Sequence, residues 1–277
     1  MRKHLSLLAA SLAAAIALTA CGGAGKSDDT TSSNGEENTR IVVGASPVPH
    51  ARILEYVRDN LAAKAGIEVE IREFDDYVLP NSTLADGTLD ANYFQHLPYL
   101  EAEIADKGYR FSHGEGIHIE PYALFSSKFG SAAEVTDGAT VAITNDASNQ
   151  YRALKLLEKA GLLTDVTEGT SVLTLTPEQN PRGLTFEENQ PEIIIQVKDD
   201  PAVDLAIING NFILTAGLST EGALEVEEVA GNPYANFLTW RTDDAKPAVA
   251  KLDELLHSDE VKEFIRSQWP NGDVTPA

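Results

Sequence analysis

Apolar positions between residues 41 and 277 fall into short blocks that switch between the period of a strand and the period of a helix. Ile41-Val42-Val43-Gly44-Ala45 is a continuous apolar run of strand length. Ser46-Pro47 then opens a helix with Ile53, Leu54, Val57 and Leu61 on one face and Gly66 at its end. Ile67 to Arg72 alternates apolar and polar, which predicts a half-buried strand. Pro98 fits a first helical position, Glu101 and Glu103 suit the first turn, and Lys107-Gly108 closes the helix. Further on, Thr140–Thr144 is a strand, followed by a helix carrying Leu154, Leu157 and Ala160 and ending at Gly161. Asp204–Ile208 is another apolar strand leading into a short helical segment. The C-terminal part has a strand at Asn236–Trp240 and amphipathic helices at 246–256 and 259–268. The Pro- and Glu-rich stretch 177–192 reads as loops, with a strand at 193–197. Strands alternating with helices predict an α/β protein with mostly parallel sheets.

The first twenty residues follow a different pattern. Arg2, Lys3 and His4 precede an apolar run from Leu5 to Leu18, too short to span a bilayer but of the length of a secretory signal. Leu18-Thr19-Ala20-Cys21-Gly22 resembles the lipobox of bacterial lipoproteins, in which the cysteine thiol receives a diacylglycerol and becomes the first residue after cleavage. A plain cleavable signal with an incidental cysteine is the other reading. Cys21 is the only cysteine of the chain and occupies the one position lipidation requires, which favours the lipoprotein. Residues 22–40 hold a single residue of the hydrophobic set, Ala24, so they cannot be buried and read as a tether.

Composition narrows the function classes. With 43% hydrophobic and 23% charged residues, the chain is neither disordered throughout nor polytopic. Twenty-one Lys+Arg stand against 43 Asp+Glu, a formal charge of −22, which repels nucleic acid and anionic lipid. A single cysteine excludes a disulfide framework and a Cys-rich zinc site.

Catalytic motifs are missing. There is no G-x-S-x-G and no H-E-x-x-H. His113, Glu115, His118 and Glu120 are the only cluster of metal-ligand types. In a strand, 113 and 115 share one face and 118 and 120 the other, so the four cannot converge without a bulge. Solvated residues beside a turn at Gly114 and Gly116 are the plainer reading, and no metal is expected.

Four stretches look like parts of a ligand site. Asp90 to Leu100 packs three aromatics and a histidine into seven residues, and with 93–97 extended Phe94 and His96 point the same way, joined by Tyr99. That makes either a pocket for an apolar or thioether side chain or a piece of ordinary core. Asn145 to Arg152 lies between a strand and a helix. Ser148 or Asp146 can cap that helix, which sets Asn149 and Arg152 on one face of its first turn. A cation there opposes the helix dipole, so it either grips a carboxylate through both oxygens or pairs with a nearby acid. Asn209-Gly210-Asn211 sits at a strand's C-terminal end, where open α/β sheets place ligands, and Asn236 adds a further amide.

With these residues in view, the chain resembles the NlpA-type substrate-binding lipoproteins of methionine ABC transporters over nearly all of 41–277. DANYFQHLPYL at 90–100, NDASNQYR at 145–152, INGN at 208–211 and NPYANFL at 232–238 carry the resemblance. It implies a two-lobed periplasmic-binding-protein fold (type II-like), with mostly parallel sheets flanked by helices and methionine in the inter-lobe cleft. Tyr77, Phe94, His96 and Tyr99 would form the side-chain pocket. Arg152 with Asn149 would hold the carboxylate, and Asn209 and Asn236 the remaining polar groups, including the ammonium. The family usually has Pro and Thr where Ala147 and Ser148 stand, and Tyr where Phe212 stands. Relatives take either methionine enantiomer, and some a methionine-containing dipeptide.

The organisation implied is a signal peptide at 1–20, a lipidated cysteine and tether at 21–40, one lobe from 41–122 plus 232–277 and a second from 123–231. The partners implied are methionine, an ABC permease with its cytoplasmic ATPase, and the membrane through the lipid; no nucleic acid, no cofactor and no further subunit are called for. A carrier of another small amino acid or of a dipeptide is the nearest alternative. A lipid-anchored hydrolase using His96 as base is the rival from another class, and it lacks a nucleophile or metal partner.

Overall fold

The computed structural model describes residues 39–277. The signal segment, Cys21 and the tether as far as residue 38 lie outside the described residues.

The first lobe begins with β1 (Thr39–Ala45), whose Ile41, Val43 and Ala45 are fully buried. Thr39 and Arg40 already belong to this strand, paired with Ile67 and Glu68. An irregular helical turn at Pro47–Ala51 leads into α1 (Arg52–Asn60), which buries Ile53, Leu54 and Val57 as its apolar spacing requires. Gly66, at φ 69°, turns the chain into β2 (Ile67–Glu73), a left-handed conformation that glycine adopts at no steric cost. Then follow α2 (Leu79–Ala85), β3 (Ala91–His96), α3 (Leu97–Lys107) and the short β4 (Phe111–His113) and β5 (His118–Ile119).

The second lobe contains β6 (Ala123–Phe125), β7 (Thr140–Thr144), α4 (Ala147–Lys159), β8 (Thr185–Asn189), α5 (Pro191–Val197), β9 (Leu205–Ile208), α6 (Gly210–Thr215) and β10 (Glu225–Val226). The chain returns to the first lobe for β11 (Asn236–Arg241), α7 (Pro247–Leu256), α8 (Asp259–Gln268) and β12 (Thr275–Pro276).

Two sheets result. The larger runs β12-β5-β11-β3-β1-β2 with β4 also on β11; the smaller runs β10-β6-β9-β7-β8. In each, a central strand has parallel neighbours on both sides: β1 between β2 and β3, β7 between β8 and β9. Antiparallel strands complete each sheet, β11 against β3 and β6 against β9. The architecture is therefore α/β and two-lobed, with mixed sheets flanked by helices. Covered on both faces, the inner parallel strands are apolar without alternation, as in Leu205-Ala206-Ile207-Ile208, all buried.

Residues 185–197 differ from the sequence expectation. The strand is at Thr185–Asn189, and 193–197 belongs to a helix. Pro191 sits in the first helical turn and Ile194 is the fully buried position of the run, while Ile193 and Ile195 are half-buried. Three consecutive isoleucines serve a strand or a buried helix equally, and the proline decides for the helix. β8 is an edge strand with mostly exposed side chains, so it carries no apolar signal.

Each lobe has its own core, one around β1 and α1, the other around β7 and α4. A third apolar cluster crosses between them, with Tyr77, Phe94 and Tyr99 from the first lobe against Ile208 and Phe212 from the second. The C-terminal ends of β3, β7 and β9 converge on this junction, where open α/β sheets leave a crevice.

Candidate functional site

A cavity lies at the junction, with about 310 Å³ of space between its walls, part of it open to solvent. Tyr77, Phe94, His96, Tyr99, Asn149, Arg152, Asn209 and Asn236 all line it. The structure thus brings together all eight residues singled out in the sequence. Gln95, Glu120, Tyr122, Gly210 and Asn211 complete the wall.

One half of the cavity is aromatic. Tyr77 packs against Phe94, Tyr99 and Phe212 with ring centroids 5.9, 5.9 and 5.2 Å apart. Both tyrosine hydroxyls are spent inside the protein: Tyr99 donates to the Tyr77 carbonyl at 2.9 Å and Tyr77 to Asn211 Oδ1 at 2.6 Å. What they offer a ligand is ring surface.

His96 ends β3 and caps α3, its Nδ1 accepting from the Tyr99 amide at 3.2 Å. Its Nε2 lies 3.1 Å from Asn149 Oδ1, an acceptor, so that nitrogen carries the hydrogen. With both nitrogens engaged, His96 meets the cavity as a flat apolar ring. Burial, reinforced by Arg152, lowers its pKa to about 3. No free lone pair remains for it to act as a hydrolytic base.

The other half is charged. Asp146 caps α4, accepting from the Asn149 amide at 3.0 Å, which turns Asn149 and Arg152 inward. The Arg152 guanidinium is buried between the rings of Tyr122 and Tyr234, 4.2 and 4.4 Å from their centroids. Its Nε donates to Glu227 Oε1 at 2.7 Å and its Nη2 to Glu227 Oε2 at 2.5 Å and to the Glu120 carbonyl at 3.0 Å. Burial disfavours the cation, and Glu227 outweighs that, so its pKa lies above the usual arginine value. This corrects the expected two-oxygen grip on a ligand: the fork is already occupied by Glu227, and Nη1 is the nitrogen left without a protein partner among the described residues. The partner acid is 75 residues away along the chain and only partly exposed.

Gly210 allows the second lobe to approach. A Cβ on it would lie 2.8 Å from Glu120 Cβ and 3.1 Å from the Pro121 carbonyl oxygen, so any side chain would force α6 away from the Glu120–Pro121 segment.

His118 and Glu120 do share a face, with His118 Nε2 3.5 Å from Glu120 Oε1. Their companion is His50 from the turn after β1, not His113 or Glu115, and these three are the only group with metal-ligand geometry among the described residues. Glu227 gave no sequence signal, being one of many acids in an acidic chain. Asn211 and Tyr234 lay within recognised motifs without being assigned a role.

Buried polar atoms without a partner concentrate here. Glu120 Oε2, Tyr122 Oη, Asn209 Oδ1 and Asn211 Nδ2 all belong to cavity residues. Buried polar groups are normally satisfied, so such a concentration marks a place built for a polar guest.

The NlpA lipoprotein family model matches residues 41–277. The chain belongs to the NlpA lipoprotein family. The methionine-binding lipoprotein MetQ of Bacillus subtilis is 36% identical, over 99% of this chain and 98% of that protein. A putative lipoprotein from Actinomyces odontolyticus is 46% identical and superposes with a TM-score of 0.81, over 86% of this chain and 99% of that one. A nutrient-binding protein from Burkholderia cenocepacia, solved bound to methionine, is 36% identical with a TM-score of 0.79, over 86% and 99%. As an NlpA lipoprotein, the protein is a substrate-binding protein, not an enzyme, and is lipid-anchored on the extracytoplasmic face of the membrane.

Proposed function

We propose that this NlpA lipoprotein captures methionine, as one or both enantiomers, between its lobes and hands it to the permease of an ABC importer driven by a cytoplasmic ATPase. The observation that carries this reading is the division of one small cavity into an aromatic half without free hydroxyls on Tyr77 and Tyr99 and a buried, charged half. The thioether chain lies among Tyr77, Phe94, Tyr99 and the ring of His96, where sulfur–aromatic contacts contribute roughly 0.3–1.5 kcal/mol each. Arg152 Nη1 and the Asn149 side-chain N–H take the carboxylate. Asn209 and Asn236 serve the remaining polar groups, the ammonium among them.

Lobe boundaries at 41–122 with 232–277, and at 123–231, are supported by the way the strands divide between the two sheets. The names of the Bacillus and Burkholderia relatives point to the same ligand.

Mass spectrometry of small molecules released on denaturing the purified protein, followed by titration calorimetry, tests the reading. The expected result is release of methionine and one-to-one binding of it. Release of a different metabolite, with no heat on adding either methionine enantiomer, overturns it.

A further inference from the structure

Beside the cavity, His50, His118 and Glu120 hold their nitrogen and oxygen atoms within 4.8 Å of one another, and none of the three is more than 6% exposed. Of the three, only Glu120 reaches the cavity wall. The eight residues assigned above leave this cluster unexplained.

Its hydrogen positions follow from its neighbours. Asn236 Nδ2 donates to the Tyr234 carbonyl at 3.3 Å, which leaves Oδ1 facing His50. An amide oxygen only accepts, so His50 Nε2, 3.1 Å away, carries a hydrogen. That same N–H is 3.3 Å from Glu120 Oε1. The Tyr93 hydroxyl bonds to His118 Nδ1, and as donor it leaves the hydrogen of the neutral ring on Nε2, which faces Glu120 Oε1 at 3.5 Å. Burial keeps both rings neutral, with pKa values lowered to about 4 for His50 and about 3 for His118. The cluster therefore sets two hydrogen-bearing nitrogens beside one carboxylate oxygen, at 3.3 and 3.5 Å, with His50 already donating to Asn236 and His118 Nε2 free of any other partner. A metal would need lone pairs where these nitrogens present hydrogens.

Glu120 Oε2 has no partner, and neither has Asn209 Oδ1 across the cavity wall. Two unpaired acceptors and the Arg152 cation thus line the same cavity. Acceptors for an ammonium together with a cation for a carboxylate complement a zwitterion.

We propose that Glu120 Oε2, with Asn209 Oδ1, receives the α-ammonium of the ligand, that His50 and His118 are positioning residues holding the other carboxylate oxygen, and that the site therefore admits only ligands with a free amino group and gives up a proton as it fills. This rests on the reading that the cavity takes an amino acid. In the empty site, burial raises the Glu120 pKa to about 7 against the pull of His50 and Arg152. An ammonium at Oε2 stabilises the carboxylate, so the proton on the carboxyl leaves to solvent while the ligand keeps its three N–H groups. The other groups facing Glu120 do not titrate between pH 6 and 7.5. His50 and His118 titrate lower, Tyr77, Tyr93 and Tyr122 are pushed upward by burial, and Arg152 stays charged.

The test begins with a thermal-shift screen of the standard amino acids and D-methionine, carrying the best binder, expected to be methionine, into calorimetry. Its N-acetyl and des-amino derivatives should bind wild type at least about thirtyfold more weakly. The dissociation constant of the free amino acid should rise roughly five- to tenfold from pH 7.5 to pH 6. Binding heats in buffers of different ionisation enthalpy should report proton release near pH 7. Glu120→Gln, of nearly the same shape, should lose affinity, pH dependence and proton release together. His50→Ala should move the pH midpoint upward, and His50→Gln, which also donates from Nε2, should restore it. Wild-type binding of the N-acetyl derivative within a few-fold of the parent, or unchanged binding by Glu120→Gln, overturns the proposal while leaving methionine as ligand intact. If another amino acid obeys the pattern, the methionine reading falls and the role of Glu120 stands; if no free amino acid binds, both fall.

Discussion

The hydroxyl of Tyr77 donates to Asn211 Oδ1 at 2.6 Å, joining the segment after β2 in one lobe to α6 in the other. This is a direct polar tie between lobes, and it sits on the cavity wall. Hinge closure in a two-lobed binder gains from any contact present only when the lobes meet.

Tyr77→Phe keeps the ring against Phe94, Tyr99 and Phe212 and removes only the tie. Asn211 Oδ1 then lacks its donor, and its Nδ2 already has none. Methionine binding should weaken by about 1 kcal/mol, roughly fivefold, with the thermal midpoint little changed. Calorimetry on the two proteins measures it; unchanged affinity would show that the bond plays no part in closure.

Arg152 and Glu227 form a second test, in which binding and stability separate. Arg152→Ala should abolish detectable methionine binding, at a cost of roughly 2–5 kcal/mol. It should also lower the melting temperature, because Glu227 is left partly buried without its cation. Adding Glu227→Gln to Arg152→Ala should recover stability but not binding. A double variant that binds methionine would remove Arg152 from the site.

Much of this site was legible in the sequence because its residues sit where strands end. Apolar blocks at 41–45, 140–144 and 204–208 mark β1, β7 and β9, and the polar residues following the latter two fall into the cleft. Asn149 and Arg152, three apart on one helix, needed only the Asp146 cap to be placed. What stayed hidden depends on distance along the chain. Arg152 and Glu227 are 75 residues apart, and nothing local singles out that acid among 43. His50 meets His118 and Glu120 only because the β1 turn folds against β5. His113 and Glu115, in the same short segment as His118, stay outside that group. The Ile193–Ile195 run misled for a different reason, since burial on one side of a helix and burial within a sheet favour the same residues.

The anchor makes a prediction independent of the cavity. Wild type should partition into detergent with the membrane fraction, and Cys21→Ser should stay soluble or unprocessed. Phase partitioning with an immunoblot decides it; equal partitioning of both proteins would rule out lipid at Cys21.

The aromatic half of the cavity distinguishes methionine from molecules of similar length. Tyr77 and Tyr99 spend their hydroxyls on Asn211 and on a backbone carbonyl, and both His96 nitrogens are engaged, so a ligand side chain meets rings rather than donors. A thioether asks for nothing more. Norleucine keeps the shape and loses only the sulfur–aromatic contact, so it should bind roughly 0.3–1.5 kcal/mol more weakly, about two- to tenfold. Glutamate brings a second carboxylate into that chamber, while the nearest cation, Arg152, is already paired with Glu227 and belongs to the other half. Burying the extra charge unpaired costs several kcal/mol, so millimolar glutamate should not bind. A thermal-shift series should therefore rank methionine first and norleucine second, with no shift for glutamate. A larger shift with glutamate than with norleucine would mean that the side-chain chamber is polar, and the assignment of methionine would fail on the residues that suggested it.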